Sequence, residues 1–477
     1  MFSHKILIIG YGSVAKCTLP LLFQHVNVAH SQVTVMDFVD QREALMSWIE
    51  RGVNYVQESI TPDNMHQVLA QHVSSGGLII DLAWNIDTLA MLNWCHENAV
   101  LYINTSVEEW DPSENIHQKP LIEKTLYWRQ MKIREAIAAW GSSTTTAVVD
   151  HGANPGLISH FTKQGLLDIA QQCLTDNKIP AKNIETALSE ENFAHLAMHL
   201  GVKVIHCSEQ DTQVTSRPKV LNEFVSTWSV PGLFEEGLAP AELGWGTHEN
   251  KLPQWGHCPS NGPKNQIFLA QMGMNTWVRS WVPSQEILGM LIRHGEAFGI
   301  SDALTVWENN EAIYRPTVHY AYMPSNEAIS SLHELRARNY QMQDNQRIMS
   351  DDVTQGQDIL GALIMGHPYT SWWTGSILSI EESRQLVPNQ NATTTQVAIG
   401  VVAAIVWMIE NPQRGFCLPD DLPHEMILKI AKPYLGEFVS KPSDWSPQKN
   451  YQPYFKENDE SFLDDENLWS FDNFLFK

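Results

Sequence analysis

Over the first 150 positions, short apolar runs alternate with stretches in which apolar residues return every three or four places. Ile6-Leu-Ile-Ile9 runs into Gly10 and is followed by a helical stretch through Leu21, Leu22 and Phe23. Val33–Met36, Val53 to Glu58, Leu78–Leu82 and Val100–Asn104 continue the series, with a helix expected from about Asp87 to His96. Strands alternating with helices predict a parallel, doubly wound α/β sheet of Rossmann type. Residues 121–140 pattern as helix. A strand through Thr146–Asp150 then turns at His151-Gly-Ala-Asn-Pro-Gly156 into a helix from Leu157.

These patterns predict three regions. Residues 1–152 form the doubly wound domain, completed by a segment returning near 390–440. Residues 153–390 form a second α+β domain, and 441–477 an acidic, aromatic tail. The longest apolar stretch, Val397–Ile409, falls short of the ~18–20 residues a bilayer span needs. It reads as a helix buried between layers.

The first strand ends in the spacing G-x-G-x-x-A, at Gly10, Gly12 and Ala15. Gly10 permits the tight turn, Gly12 lets backbone approach a pyrophosphate, and Ala15 allows helix and strand to pack closely. The helix start, at Ser13 and Val14, then presents free N–H groups to the negative charge. Asp37 closes the second strand, where a carboxylate accepts from ribose hydroxyls and repels a 2′-phosphate, favouring NAD over NADP. Ligands of such sheets lie beyond the carboxyl ends of the strands. Ala83, Trp84, Asn85, Asn104 and Thr105 are therefore candidate cofactor contacts, with loop packing as the alternative.

Composition narrows the partners. The 477 residues carry 54 acidic and 31 basic side chains, a net charge of −23. That balance argues against nucleic acid and anionic membranes, and leaves room for a cationic substrate. Six cysteines without regular spacing are too sparse for a disulfide framework. The N-terminal apolar run is too short for a signal peptide, so the expected location is the cytoplasm.

From Glu185 to Gly299, carboxylates are interleaved with tryptophans. The densest part, Trp228 to Glu249, holds Glu235, Glu236, Glu242 and Trp245 among many Gly and Pro residues, and reads as loop. Indole faces beside carboxylates are the chemistry of ammonium recognition, which singles out Trp228 and Glu236. His294, two residues before Glu296, is a candidate for proton transfer near neutral pH. Asn154 suits either a helix cap or an amide orienting a substrate amine. His195 and His199, His206-Cys207 and His257-Cys258 lack zinc-site spacing, so no metal is expected.

Taken together, the G-x-G-x-x-A opening, Asp-Leu-Ala-Trp-Asn, Ile-Asn-Thr-Ser and Asp-His-Gly-Ala-Asn-Pro-Gly resemble the saccharopine dehydrogenase-like proteins. The segments Trp228–Glu249 and Ile-Arg-His294-Gly-Glu296-Ala-Phe are similar to the bacterial homospermidine synthases within that group. The resemblance spans roughly residues 5–440. It implies an NAD-dependent homodimer that joins two putrescines into sym-homospermidine and releases ammonia. It points to Trp228, Glu236 and His294 as catalytic, with Glu236 or His294 as the base. Asn154, Glu209, Glu296, Asp358 and Asp87 would bind the substrate. The rival readings are a saccharopine- or carboxynorspermidine-type dehydrogenase, or an NAD-binding protein without catalysis. A carboxylate-bearing substrate calls for Arg or Lys, and residues 222–250 contain neither.

Overall fold

Every apolar run of the N-terminal region is a strand in the computed structural model, which describes residues 2–140, 145–283, 285–450 and 467–476. In chain order these elements are β1 (Ile6–Ile9), α1 (Ser13–His25), β2 (Val33–Asp37), β3 (Asn54–Gln57), β4 (Leu78–Asp81), α2 (Thr88–Asn98), β5 (Leu101–Asn104), α3 (Leu126–Ala138) and β6 (Ala147–Val148). β1, β2, β4 and β5 are buried throughout, as strands covered on both faces require, whereas β3 lies at the edge and is half exposed.

The second region contributes α4 (Leu157–Thr175), β7 (Val204–Asp211), α5 (Val230–Leu238), β8 (Pro240–Gly244), β9 (Gln266–Met272), α6 (Gly295–Ala303), β10 (Thr317–Met323), β11 (Gln357–Met365) and β12 (Ser371–Ser379). α7 (Ala392–Glu410), β13 (Phe416–Cys417) and β14 (Glu437–Ser443) follow. The first sheet runs β13-β6-β5-β4-β1-β2-β3 with every pairing parallel. The chain thus returns to extend this sheet at β13. α7 lies along α1, and its apolar surface is buried between the layers.

The second sheet has ten strands among the described residues and is largely antiparallel. It places β9-β8-β10-β7-β11-β12-β14 side by side, with β10 and β7 parallel. Alternation along its central strands separates two environments. Val204, Leu243, Ala321 and Leu363 pack on one face with Phe471 and Phe474 of the C-terminal segment. Ile205, Cys207, Tyr320, Tyr322, Leu360 and Ala362 pack on the other, toward α4 and α7. The final residues thus dock on the body of the chain, where Phe471 N–H meets both oxygens of Glu249 at 3.2 Å.

Pro231 and Gly232 do not make the Trp228 region a loop throughout. Ser229 caps α5 by accepting from Gly232 N–H at 3.1 Å, and Pro231 falls in the first turn, where no intrahelical donor is lost. The turn after β6 is held against α7 at Gly400, where an added methyl would sit 2.0 Å from the Gly152 carbonyl oxygen. Gly400→Ala should therefore displace the Gly152–Gly156 turn and cost about 1–3 kcal/mol. Denaturant unfolding reads the loss, and an unchanged midpoint would remove Gly400 as the element that seats this turn.

Candidate active site

The register of three neighbouring strands assembles the floor of the site. Tyr322 on β10 stands opposite Glu209 on β7, and Asp211 on β7 stands opposite Asp358 on β11. Residues two apart share a face, so Tyr320, Tyr322, Glu209, Asp211 and Asp358 all point to the side occupied by α7 and the first domain. Asn154 Nδ2 donates to Glu209 Oε2 at 2.5 Å, and Tyr320 OH donates to the same oxygen. Asp211 accepts from Gln213 and Thr227, and Asp358 from Thr393. None of these partners is cationic.

Burial without a counter-charge favours the protonated acid. Glu209, only 2% exposed, is pushed up to about 7 by burial and by the Asp211 charge, against the opposing hydrogen bond from Tyr320. Asp358 is pushed well above the carboxylate range by burial and by Glu209 and Asp211.

The wall opposite comes from α5 and α6. His294 is the residue before α6, with Glu296 in its first turn. His294 Nδ1 lies 3.1 Å from a Glu296 oxygen, and Nε2 lies 3.2 Å from Glu236 Oε2. A ring facing carboxylates through both nitrogens satisfies both only as the imidazolium. Burial alone would lower its pKa, but Glu296 and Glu236 together outweigh it and hold His294 protonated well above the usual range. Trp228 donates its indole N–H to Tyr322 OH at 3.0 Å, which fixes the ring at the side of the cavity. Beside Glu236, Glu235 is clamped by Arg129 and Arg293, each 2.5 Å from Oε1.

Asn154, Glu209, Trp228, Glu236, His294 and Tyr320 enclose a cavity of about 140 Å³. It shares Val14, Leu82, Ala83, Trp84 and Ser229 with a longer cleft of about 710 Å³ along the ends of β1, β2 and β4. That cleft fits a dinucleotide. Gly10 has φ +83°, and a side chain there would meet Ala83 backbone at 3.0 Å. A methyl added at Gly12 would project into open space with no atom within 4 Å, and no side chain caps α1, leaving its start free for a phosphate. A still larger cleft, about 840 Å³ between α4 and the turn at residues 420–424, contains none of the predicted site residues.

The predicted residues divide as follows. Gly10, Gly12, Ser13, Val14, Asp37, Ala83, Trp84 and Asn85 line the long cleft. Asp37 also braces its wall, accepting from Tyr11 N–H at 2.6 Å and Val39 N–H at 2.8 Å. Trp228, Glu236, His294, Asn154 and Glu209 surround the small cavity. Five predicted residues stand elsewhere. Asn104 is turned away from the cleft, bonded to Tyr102, Thr88 and Asp150 N–H. Thr105 lines the small cavity instead of the cofactor cleft. Asp87 caps α2 through Ala90 N–H at 2.7 Å and lines neither space. Glu296 stands behind His294, and Asp358 behind Thr393, so neither forms the cavity surface.

Tyr320, Thr393 and Glu108 are among the lining residues that escape the sequence reading. Only Glu108 carried a usable signal, its place just past the carboxyl end of β5. Burial and Glu235 push Glu108 up to about 8 despite Arg129. Its Oε1 accepts from Ser106, while Oε2 has no hydrogen-bond partner among the described residues.

The profile of the Saccharopine dehydrogenase C-terminal domain matches residues 152–443, and that of the Saccharopine dehydrogenase NADP binding domain matches residues 6–148. Homospermidine synthase of Blastochloris viridis is 38% identical, over 99% of this chain and 97% of that protein. The Mesorhizobium japonicum homospermidine synthase is 37% identical, over 99% and 96%. The chain belongs to the homospermidine synthase family. A crystal structure of the Legionella pneumophila member in complex with NAD superposes with a TM-score of 0.88 at 36% identity, covering 100% of this chain and 98% of that one. The two-sheet architecture is thus the family's own.

The elevated Glu209 acid makes a prediction about stability. Its proton is bound more tightly folded than unfolded, so its favourable contribution is full below about pH 4.5 and is lost as pH rises to about 7. Glu209→Gln, which mimics the protonated acid, should stabilise the ligand-free chain at about pH 8 by on the order of 1–3 kcal/mol, with little change at about pH 4.5. Thermal unfolding at the two pH values reads this, and equal shifts at both would refute the assignment.

Proposed function

We propose that the chain joins two putrescine molecules into sym-homospermidine with release of ammonia, using NAD. The observation that carries this reading is the pocket itself: a carboxylate floor with no cationic partner, walled by Trp228 and Tyr320, opening onto a dinucleotide cleft. Membership of the homospermidine synthase family supports it. The cavity lining contains no Arg or Lys, which disfavours the rival saccharopine-type substrates with their carboxylates.

Gly10, Gly12 and the start of α1 would hold the pyrophosphate, and Asp37 would face the adenosine ribose. A 2′-phosphate beside a carboxylate that is only 8% exposed meets like charge, which favours NAD although the matching profile is described for NADP. When bound, NAD accepts a hydride from the carbon bearing the reacting nitrogen and returns it to the new carbon–nitrogen bond, leaving no net redox change.

The protein must first remove a proton, because an alkylammonium with a pKa near ~10 does not release hydride from its neighbouring carbon. His294 is a poor primary acceptor, since it is already protonated. Glu236 takes the proton and shares it through His294 with Glu296. Two diamine dications give one triamine trication and one ammonium, so proton counts balance over the cycle and this store need only hold the proton transiently.

Glu209, held by Tyr320 and Asn154, anchors the distal ammonium and gives up its proton as the cation arrives. Trp228 adds cation–π attraction of ~0.5–2 kcal/mol and favours iminium character at the reacting carbon. The active unit would be a homodimer in the cytoplasm, and sedimentation of the purified chain tests the first part.

The direct test incubates the chain with putrescine and NAD. Homospermidine and ammonia in equal amounts, without accumulating reduced cofactor, are expected. Stoichiometric reduction of NAD would point to a dehydrogenase, and no turnover to a binding protein. Trp228→Phe should lower kcat/KM by about 3–30-fold and Trp228→Ala by more; equal losses would deny the ring its electrostatic role. Glu236→Gln should cut kcat by roughly 10²–10⁴-fold with folding intact, and an unaffected rate would exclude it as proton acceptor.

A further inference from the structure

Trp84 follows β4 and lines both the cofactor cleft and the small cavity. Its indole N–H reaches across to Glu235 on α5, at a long 3.4 Å. The side chain is 42% exposed, whereas His294 and Glu209 on the cavity's inner walls are 6% and 2% exposed. Trp84 therefore stands where the cavity meets solvent.

Its surroundings are fixed while the ring is held weakly. Asn85 pins the loop, accepting from Asp111 N–H at 2.6 Å and donating to Asp111 Oδ1 at 3.2 Å. Glu235 is held by Arg129 and Arg293 through Oε1, leaving Oε2 to meet the indole. A hydrogen bond at 3.4 Å is weak. Breaking it frees the ring without disturbing either anchor.

We propose that the Trp84 indole is a gate that admits the diamine and then keeps water from the imine formed in the pocket. The inference rests on the reaction proposed above. Water reaching that carbon adds its oxygen, the carbon–nitrogen bond breaks, and R–CH=NH₂⁺ with H₂O becomes R–CHO with NH₄⁺. The two electrons removed from the diamine then remain on the nicotinamide, because no imine is left to receive them. A closed gate directs the same carbon to the second amine.

The test measures, in one reaction with putrescine and NAD, the aldehyde trapped by o-aminobenzaldehyde and the homospermidine formed. The native chain should give homospermidine with little aldehyde; if it gives none, the proposed reaction has failed and the gate falls with it. Trp84→Ala should raise the aldehyde-to-homospermidine ratio about ten-fold, with Trp84→Phe staying within about two-fold of native. Should Trp84→Ala not fold, Trp84→Leu retains apolar bulk and should raise the ratio in the same direction. A ratio unchanged in the truncated variant while both products fall together would reduce Trp84 to packing and overturn the proposal. A second readout needs no cofactor: putrescine should leave the Trp84→Ala apoprotein about ten-fold faster than the native one, and equal rates would also count against the gate.

Discussion

Three carboxyl groups on neighbouring strands, Glu209, Asp211 and Asp358, are buried on one face of a sheet without an arginine or lysine among their bonded partners. A buried charge without such a partner is costly by several kcal/mol, and the molecule lowers that cost by retaining protons on the floor. The same arrangement makes the cavity hungry for a cation. Small diamines meet the requirement because each end supplies one positive charge and three donors, and a short methylene spacer suits walls of indole and phenol.

The opposite wall resolves its charge differently. Glu236, His294 and Glu296 form a line in which the imidazolium answers two carboxylates, whereas the floor acids have no such cation and burial tightens their hold on protons. One site therefore contains two kinds of acid, separated by environment. The charged line can accept a proton from one end of a substrate. The floor can fix the other end, and Arg129 and Arg293 are kept off the substrate because Glu235 occupies them both.

The cofactor half was legible because its signals are local. Gly10, Gly12 and the acid at Asp37 lie within a single strand–helix–strand unit, and the apolar runs mark each strand directly. The substrate half depends on register between strands more than a hundred residues apart. Nothing near Tyr320 in the chain says that it will share Glu209 with Asn154, and Thr393 reaches the cavity only because α7 returns to the first domain. Asp87 shows the converse: a carboxylate beyond a strand end, suited to a ligand by position, is consumed as a helix cap. Pro231 and Gly232 read as helix breakers, yet Ser229 as cap turns the same residues into a helix start.

The most direct test of the uncompensated floor is calorimetric titration of putrescine into the ligand-free chain at about pH 7, in buffers of different ionisation enthalpy. The dication should displace protons from the floor, with net release approaching one per diamine, and affinity should weaken as pH falls below about 7. A binding heat independent of buffer, with affinity flat from about pH 6 to 8, would contradict the account.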